Sequence, residues 1–448
     1  MVISRSAIAS MATGFLVGLV IWLFYTVGTR YPAIEGLILI AVLVSSVNVL
    51  LLGSHVFKRG TYGLLLGLTS IITAISAWVY WDDGNDGGTG SWLIYAVVIN
   101  YIGIVFILSW PIREGRFPRY EDLFRHAWDT VFIVLLGFLL IAVFWLLLML
   151  CTSLFTMISI LSFSELFKTG FFIAVSSCTV FALGVHIGRE NHQVIGMLRN
   201  ILLTICRYLL PLASIMTLMF TVVLPFAGHA SIEGAGYSTK AVMYLVLMNL
   251  FLLNGVFQDG NNVSAQGSMY PTGLQRMVNV SLLCLPILML LAAYSLWLRV
   301  DQYGLTPRRF KACLMIAVML VYSVSVAWAV LTPQRLWLWR LRVTNPLIAL
   351  LSGVLLLAIN TPLLSPNSIS ANNQFQRLLN GKATVETFDV FFLYRHLGQP
   401  GRRVLSTLVA KANAGEGLTQ RERAVLLLRL QYMTPDKGNR ADPLEKRK

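Results

Sequence analysis

Charge is what this chain has least of. Only 12% of its 448 residues are Asp, Glu, Lys or Arg, against 56% hydrophobic. A soluble domain needs a charged surface, so that class is excluded and a polytopic membrane protein remains. Catalytic signatures are also missing: there is no P-loop, nucleophile elbow, dinucleotide fingerprint or His-Glu-x-x-His. Cysteine is sparse. Cys151, Cys178, Cys206, Cys284 and Cys313 lie in or beside apolar runs, and no pair has the spacing of a metal knuckle or redox motif. No carboxylate falls in the middle of an apolar run; Glu35 sits near an end. Ion-coupled carriers place carboxylates at the membrane midplane, so this absence weighs against one. No cofactor is implied.

What is present is a succession of apolar runs. Eleven approach the ~20 residues a bilayer helix needs: about 8–28, 33–53, 62–81, 92–110, 130–158, 171–187, 208–227, 240–257, 280–298, 310–331 and 345–363. The first is long enough to span and reads as a retained helix rather than a cleaved signal. The fold class is therefore all-α: a transmembrane bundle over residues 1–363, with a small helical soluble domain over 364–448.

The net charge of +15 then concerns topology and not nucleic acid, because many basic residues lie in short loops between spans. Asp82, Asp83 and Asp86 place their loop outside. Arg113, Arg116, Arg119 and Arg125 place the next one inside, as do Lys58 and Arg59, and Arg189, Arg199 and Arg207, in theirs. The N-terminus is expected in the cytoplasm and, after eleven crossings, the C-terminal domain in the periplasm. One loop disagrees: Arg299, Arg308, Arg309 and Lys311 fall outside.

That loop, Arg299 to Arg309, joins a turn, a helix start and a charge cluster. Gly304 permits a tight turn, and Thr306-Pro307 reads as an N-cap and first helical residue. Arg308, Arg309 and Lys311 then occupy the first turn, the wrong end of a helix for cations. Something anionic is expected to offset them, either Asp301 or a lipid phosphate. Thr306, Arg308, Arg309 and Lys311 are accordingly a candidate anion or lipid site.

Other polar groups are weaker candidates. His186, Glu190 and His192 fall close enough together to suggest zinc, although the spacing matches no zinc signature and an ordinary polar helix end is the simpler reading. Glu121, Asp122, His126 and Asp129 form an interfacial polar cluster before the fifth span, where nearby arginines favour ion pairing over proton transfer. Asn48, Asn100, Asn249, Asn254 and Asn360 suit interhelical hydrogen bonds. The Gly14/Gly18 and Gly63/Gly67 pairs suit close helix packing within the chain, or between two copies of it. Asp259, followed by Gly260 as a helix stop, is a partner for Arg276. Basic amphipathic lead-ins around 124–129, 196–207 and 274–279 precede three spans, read as interfacial anchors or as a weak internal repeat. Pro211 and Pro286 follow early in two of those spans.

In the tail, which carries a net charge of +7, Phe388–Leu397 and Val404–Val409 suggest two packing helices. Thr419-Gln-Arg-Glu422 is a capping-box start for a third, and the charged end reads as disordered.

The stretch Leu296-Trp-Leu-Arg-Val-x-Gln-Tyr-Gly-Leu-Thr-Pro-x-Arg309 resembles the multi-pass bacterial membrane proteins grouped as domain of unknown function 4153. So do Tyr120-Glu-Asp-Leu-Phe-Arg-His-Ala-Trp128, Asn254-Gly-Val-Phe-Gln-Asp-Gly260 and Ile369-Ser-Ala-Asn-Asn-Gln374. The resemblance implies a multi-pass architecture and no particular activity.

The sequence supports a non-enzymatic inner-membrane scaffold or accessory subunit first. A transporter or lipid-handling protein with an anion seat at Arg308/Arg309 comes second, and an integral-membrane enzyme third. Expected partners are the bilayer with its anionic phospholipid, another membrane or envelope protein, and a second copy of the chain. A C-terminal reporter active only outside the cytoplasmic membrane is expected to be active, and its cytoplasm-only counterpart silent. The reverse pattern would remove one late span.

Overall fold

A computed structural model describes residues 4–27, 32–53, 60–83, 88–110, 117–157, 162–227, 239–258, 270–332, 337–384, 388–414 and 424. Lys58, Arg59, Asp86, Arg113 and Arg116 of the orientation argument lie outside these residues. Asp259, Gly260, the Thr419–Glu422 pattern and the charged end of the tail lie outside them as well.

Among the described residues the chain is helical, with no strand. In order the helices are α1 (Arg5–Val27), α2 (Pro32–Leu52), α3 (Thr61–Asp83), α4 (Gly88–Ser109), α5 (Tyr120–Met157), α6 (Ser162–Lys168), α7 (Gly170–Glu190), α8 (His192–Val223), α9 (Thr239–Phe257), α10 (Thr272–Tyr303), α11 (Pro307–Leu331), α12 (Leu341–Ala358), α13 (Pro366–Leu379), α14 (Val390–His396) and α15 (Gly398–Ala414). Eleven of them, α1–α5 and α7–α12, are long and apolar enough to cross a membrane. The chain is an all-α polytopic bundle.

The three basic lead-ins are continuous with the spans they precede. α5 begins at Tyr120, α8 at His192 and α10 at Thr272, whereas the apolar runs begin at about 130, 208 and 280. Hydropathy marks where lipid starts; the backbone ladder continues until something interrupts it. At 38 residues α5 is about 57 Å long, well beyond a ~30 Å hydrocarbon core.

The described residues divide into two compact units. One holds Met1–Trp78, Trp92–Ser295 and Ile316–Leu357; the other holds Val79–Ser91, Leu296–Met315 and Ala358–Lys448. In the first unit, Leu50, Leu51 and Leu52 of α2 pack with Leu65, Ile104, Ala182 and Val185 of α3, α4 and α7. Apolar contact gives little register inside lipid, where the tails are equally apolar; hydrogen bonds and small residues supply it. Asn48 and Asn100 exchange amide hydrogen bonds at 2.8 and 3.0 Å, joining α2 to α4. Asn249 of α9, fully buried, donates to the Thr217 hydroxyl of α8 at 2.9 Å.

Pro211 lies inside α8. It has no N–H, so the carbonyl four residues earlier, that of Arg207, loses its helical donor. The Tyr270 hydroxyl donates to that carbonyl at 2.7 Å. Burial pushes this phenol up to about 12, which keeps it a protonated donor.

The second unit has its own core. Ala371 and Leu378 of α13, Val390 and Leu393 of α14, and Leu405 and Leu408 of α15 are buried together with Phe388 and Leu397. Two of these helices match the two read from the apolar pattern of the tail. α13 was not anticipated.

The two glycine pairs differ. A Cβ on Gly18 would stand 2.5 Å from Val175 Cα, and one on Gly14 2.5 Å from the Cys178 carbonyl oxygen, so α1 lies directly on the α7 backbone. A Cβ on Gly63 or Gly67 would meet no atom within 4 Å beyond its own stretch of helix, among the described residues. Gly14→Leu or Gly18→Leu is therefore expected to destabilise the folded chain by about 1–3 kcal/mol, the usual cost of overpacking. Gly63→Leu and Gly67→Leu are expected to be neutral within a monomer. Thermal unfolding in detergent separates the two pairs, and equal losses would contradict this packing.

Candidate functional site

The turn between α10 and α11 is where the sequence concentrates its signals, and the second unit is built around it. α10 ends at Tyr303. The Gly304 N–H still bonds to the Val300 carbonyl at 2.8 Å, and its φ of +76° turns the chain out of the helix. This left-handed position suits glycine, and space requires it too: a Cβ would come within 2.5 Å of Gln374 Nε2 and 2.9 Å of Arg377 Cδ.

A helix leaves its last four carbonyls without internal donors. Here α13 supplies them. Arg377 donates to the Asp301 carbonyl at 2.7 Å and the Gln302 carbonyl at 3.0 Å, with a longer contact to Val300 at 3.4 Å. Gln374 reaches the Tyr303 and Leu305 carbonyls at 3.5 and 3.3 Å. The Ser370 hydroxyl donates to the Leu305 carbonyl at 2.7 Å, and Asn373 Oδ1 accepts the Leu305 N–H at 2.9 Å. Residues 370, 373, 374 and 377 follow the i, i+3, i+4, i+7 spacing of one helix face. Ala371, Phe375 and Leu378 of the same helix enter the apolar core. Ser365 caps α13, its hydroxyl accepting from the Ser368 N–H, and Pro366 opens it.

α11 begins as its sequence indicates. The Thr306 hydroxyl accepts from the Arg309 N–H at 3.4 Å. The Arg309 guanidinium donates to the Gly304 carbonyl at 2.7 Å and lies 5.4 Å from the centre of the Tyr303 ring. Carbonyls at the end of α10 thus carry the negative partial charge that this cation meets. Asp301 faces Lys382, at 3.7 Å. Arg308 is exposed, while Lys311 is half-buried.

The other nominated residues lie in the first unit. In the polar cluster, Asp129 pairs with Arg199 of α8 at 2.6 Å, and Glu121 pairs with Arg342 of α12 at 3.2 Å. Asp122 and His126 are half-buried on the same helix, α5. His186 and Glu190 both face Arg189, whose nitrogen is 3.3 Å from His186 Nδ1 and 3.7 Å from Glu190 Oε1. His192 starts the next helix, after Asn191. Among the described residues no three His, Cys, Asp or Glu side chains converge as a metal site would require.

Arg189 also donates to the Leu50 carbonyl at 2.7 Å. It lies where a Cβ on Gly53 would be, and Gly53 has φ +53°. The end of α2 thus repeats the device at the end of α10: a left-handed glycine and an arginine from another helix.

A second network joins three helices and the start of α5. Asn345 donates to the Tyr120 hydroxyl at 3.0 Å and to Asn254 Oδ1 at 2.7 Å, and Asn254 donates to the Tyr322 hydroxyl.

A family model described as "Domain of unknown function (DUF4153)" matches residues 36–408. The chain belongs to this family. Searches of curated proteins and of solved structures returned no match. The four stretches that carry the family resemblance meet in pairs. The Tyr303–Arg309 stretch meets the Ile369–Gln374 stretch through Ser370, Asn373 and Gln374, and the Tyr120 stretch meets the Asn254 stretch through Asn345. Sequence reading missed Arg377, Asn345 and Tyr322 as partners. The polar stripe on α13 was the available signal for the first; nothing local marks the other two.

Gly304→Ala forces a strained backbone against α13 and is expected to cost about 1–3 kcal/mol. Arg377→Ala removes charge-assisted bonds of about 1.5–3 kcal/mol, and Arg377→Lys, without a planar fork, is expected to restore little. Both losses would appear as faster proteolysis within the 366–414 helices. Unchanged cleavage rates would show that the capping contacts do not hold this unit together.

Proposed function

We propose that this chain is a non-enzymatic scaffold or accessory subunit of the bacterial cytoplasmic membrane, with its N-terminus inside and its C-terminal helical domain presented on the periplasmic side. The observation that carries this reading is the capping of the α10 end by Ser370, Asn373, Gln374 and Arg377. It fixes the tail helices to their turn as one body, which is what a docking platform requires. The nominated ionisable pairs support the same reading, since Glu121, Asp129 and Arg189 are each engaged in contacts between helices.

A second reading keeps an anion seat at the start of α11. Exposed Arg308 beside the Thr306 cap favours it, with half-buried Lys311 as a further cation; the Arg309 guanidinium is directed at the Gly304 carbonyl.

Extraction of the full chain from its native membranes into lipid nanodiscs tests the scaffold reading. The wild type is expected to retain a partner chain in fixed stoichiometry, and Arg377→Ala, which loosens the platform, to lower that ratio several-fold. Recovery of the wild type alone, at the mass of one chain, would sink the proposal.

A further inference from the structure

A cavity of about 610 Å³ opens at the start of α5, where Phe117, Arg119, Tyr120 and Glu121 face Arg342 and Leu347 of α12. Its two sides carry opposite charges in contact: Arg342 and Glu121 are 3.2 Å apart. The Arg342 side chain is only 15% exposed and Glu121 45%, so the cation forms the floor and the carboxylate the rim. The Arg342 guanidinium also lies 4.2 Å from the centre of the Trp339 ring, which holds its plane. Tyr120 anchors the other wall through its hydrogen bond with Asn345. Both α5 and α12 begin here, at Tyr120 and Leu341, so two helix N-termini add positive partial charge to Arg119 and Arg342. The remaining lining, Phe117 and Leu347 among it, is apolar.

We infer that this cavity binds a zwitterionic phosphate ester on an apolar chain, with the phosphate on Arg342 and Arg119 and the ammonium on Glu121. A bidentate guanidinium matches phosphate oxygens. A simple anion on Arg342 would be repelled by the Glu121 carboxylate already paired with that guanidinium, whereas an ammonium on the same ligand offsets the repulsion. The apolar wall suits an acyl chain, and the cavity lies where two helices of membrane-spanning length begin. An ethanolamine phospholipid supplies this chemistry, and so does a soluble phosphoethanolamine.

The test is native mass spectrometry of the detergent-solubilised full chain. It is titrated with dihexanoyl phosphatidylethanolamine, with dihexanoyl phosphatidylglycerol, and with free phosphoethanolamine. One molecule of the ethanolamine lipid is expected to bind, more tightly than the glycerol lipid. Weak binding of free phosphoethanolamine identifies the membrane as the source; binding as tight as the lipid's identifies a soluble one. Arg342→Gln is expected to weaken binding about tenfold or more, the loss of one charge-assisted pair. Glu121→Gln, at the exposed rim, is expected to abolish the preference for ethanolamine over glycerol. Equal binding of both lipids by the wild type would overturn the inference. So would unaltered selectivity in Glu121→Gln, which does not depend on whether the Arg342 variant folds.

Discussion

A carbonyl at the end of a helix needs a donor, and much of this structure follows from how donors are provided. In water the solvent supplies them. Near or within lipid it does not, and each unsatisfied backbone group costs several kcal/mol. Three such places are met by side chains from elsewhere in the chain. Arg377 serves the end of α10, Arg189 the end of α2, and Tyr270 the carbonyl that Pro211 leaves open in α8. In the first two a glycine in the left-handed region turns the backbone away, and the guanidinium occupies the space this creates.

The same constraint explains one of the cations at the start of α11. An arginine in the first turn of a helix opposes that helix's dipole, but Arg309 is also at the end of the preceding one. Its guanidinium reaches back to the Gly304 carbonyl, on the negative side of the α10 dipole. A tight turn between two helices brings these opposite ends together. The charge that looks misplaced along the sequence is compensated across the turn, whichever side of the membrane the turn faces.

What could be read in advance divides by the range of the physics. The eleven helices of spanning length follow from local hydropathy, and the Thr306-Pro307 start follows from local capping chemistry; both are present. The apolar residues of the tail also announced α14 and α15. Helix starts in the polar lead-ins were not legible, because hydropathy falls where the helix of α5 simply continues. α13 was missed because the seven residues from Ser370 to Gln376 include only two apolar ones, Ala371 and Phe375. The pairing of Asn373 with Leu305, or of Asn345 with Asn254, spans 68 and 91 residues. Nothing near either partner encodes the other.

Those long-range pairs also show why the resemblance stretches come together in twos. A helix that is apolar all round has no preferred face in lipid, so its rotation and depth must be set by few groups. Asn345 fixes α12 against both Tyr120 and Asn254, and Asn254 is fixed in turn to Tyr322 of α11. One amide therefore sets the positions of α5, α9 and α12 relative to each other. Arg342, one turn before Asn345 on α12, is delivered to Glu121 by the same registration. The charge arrangement in the cavity is thus a consequence of helix register: rotating α12 by one residue would carry Arg342 about 100° around the helix axis and away from α5.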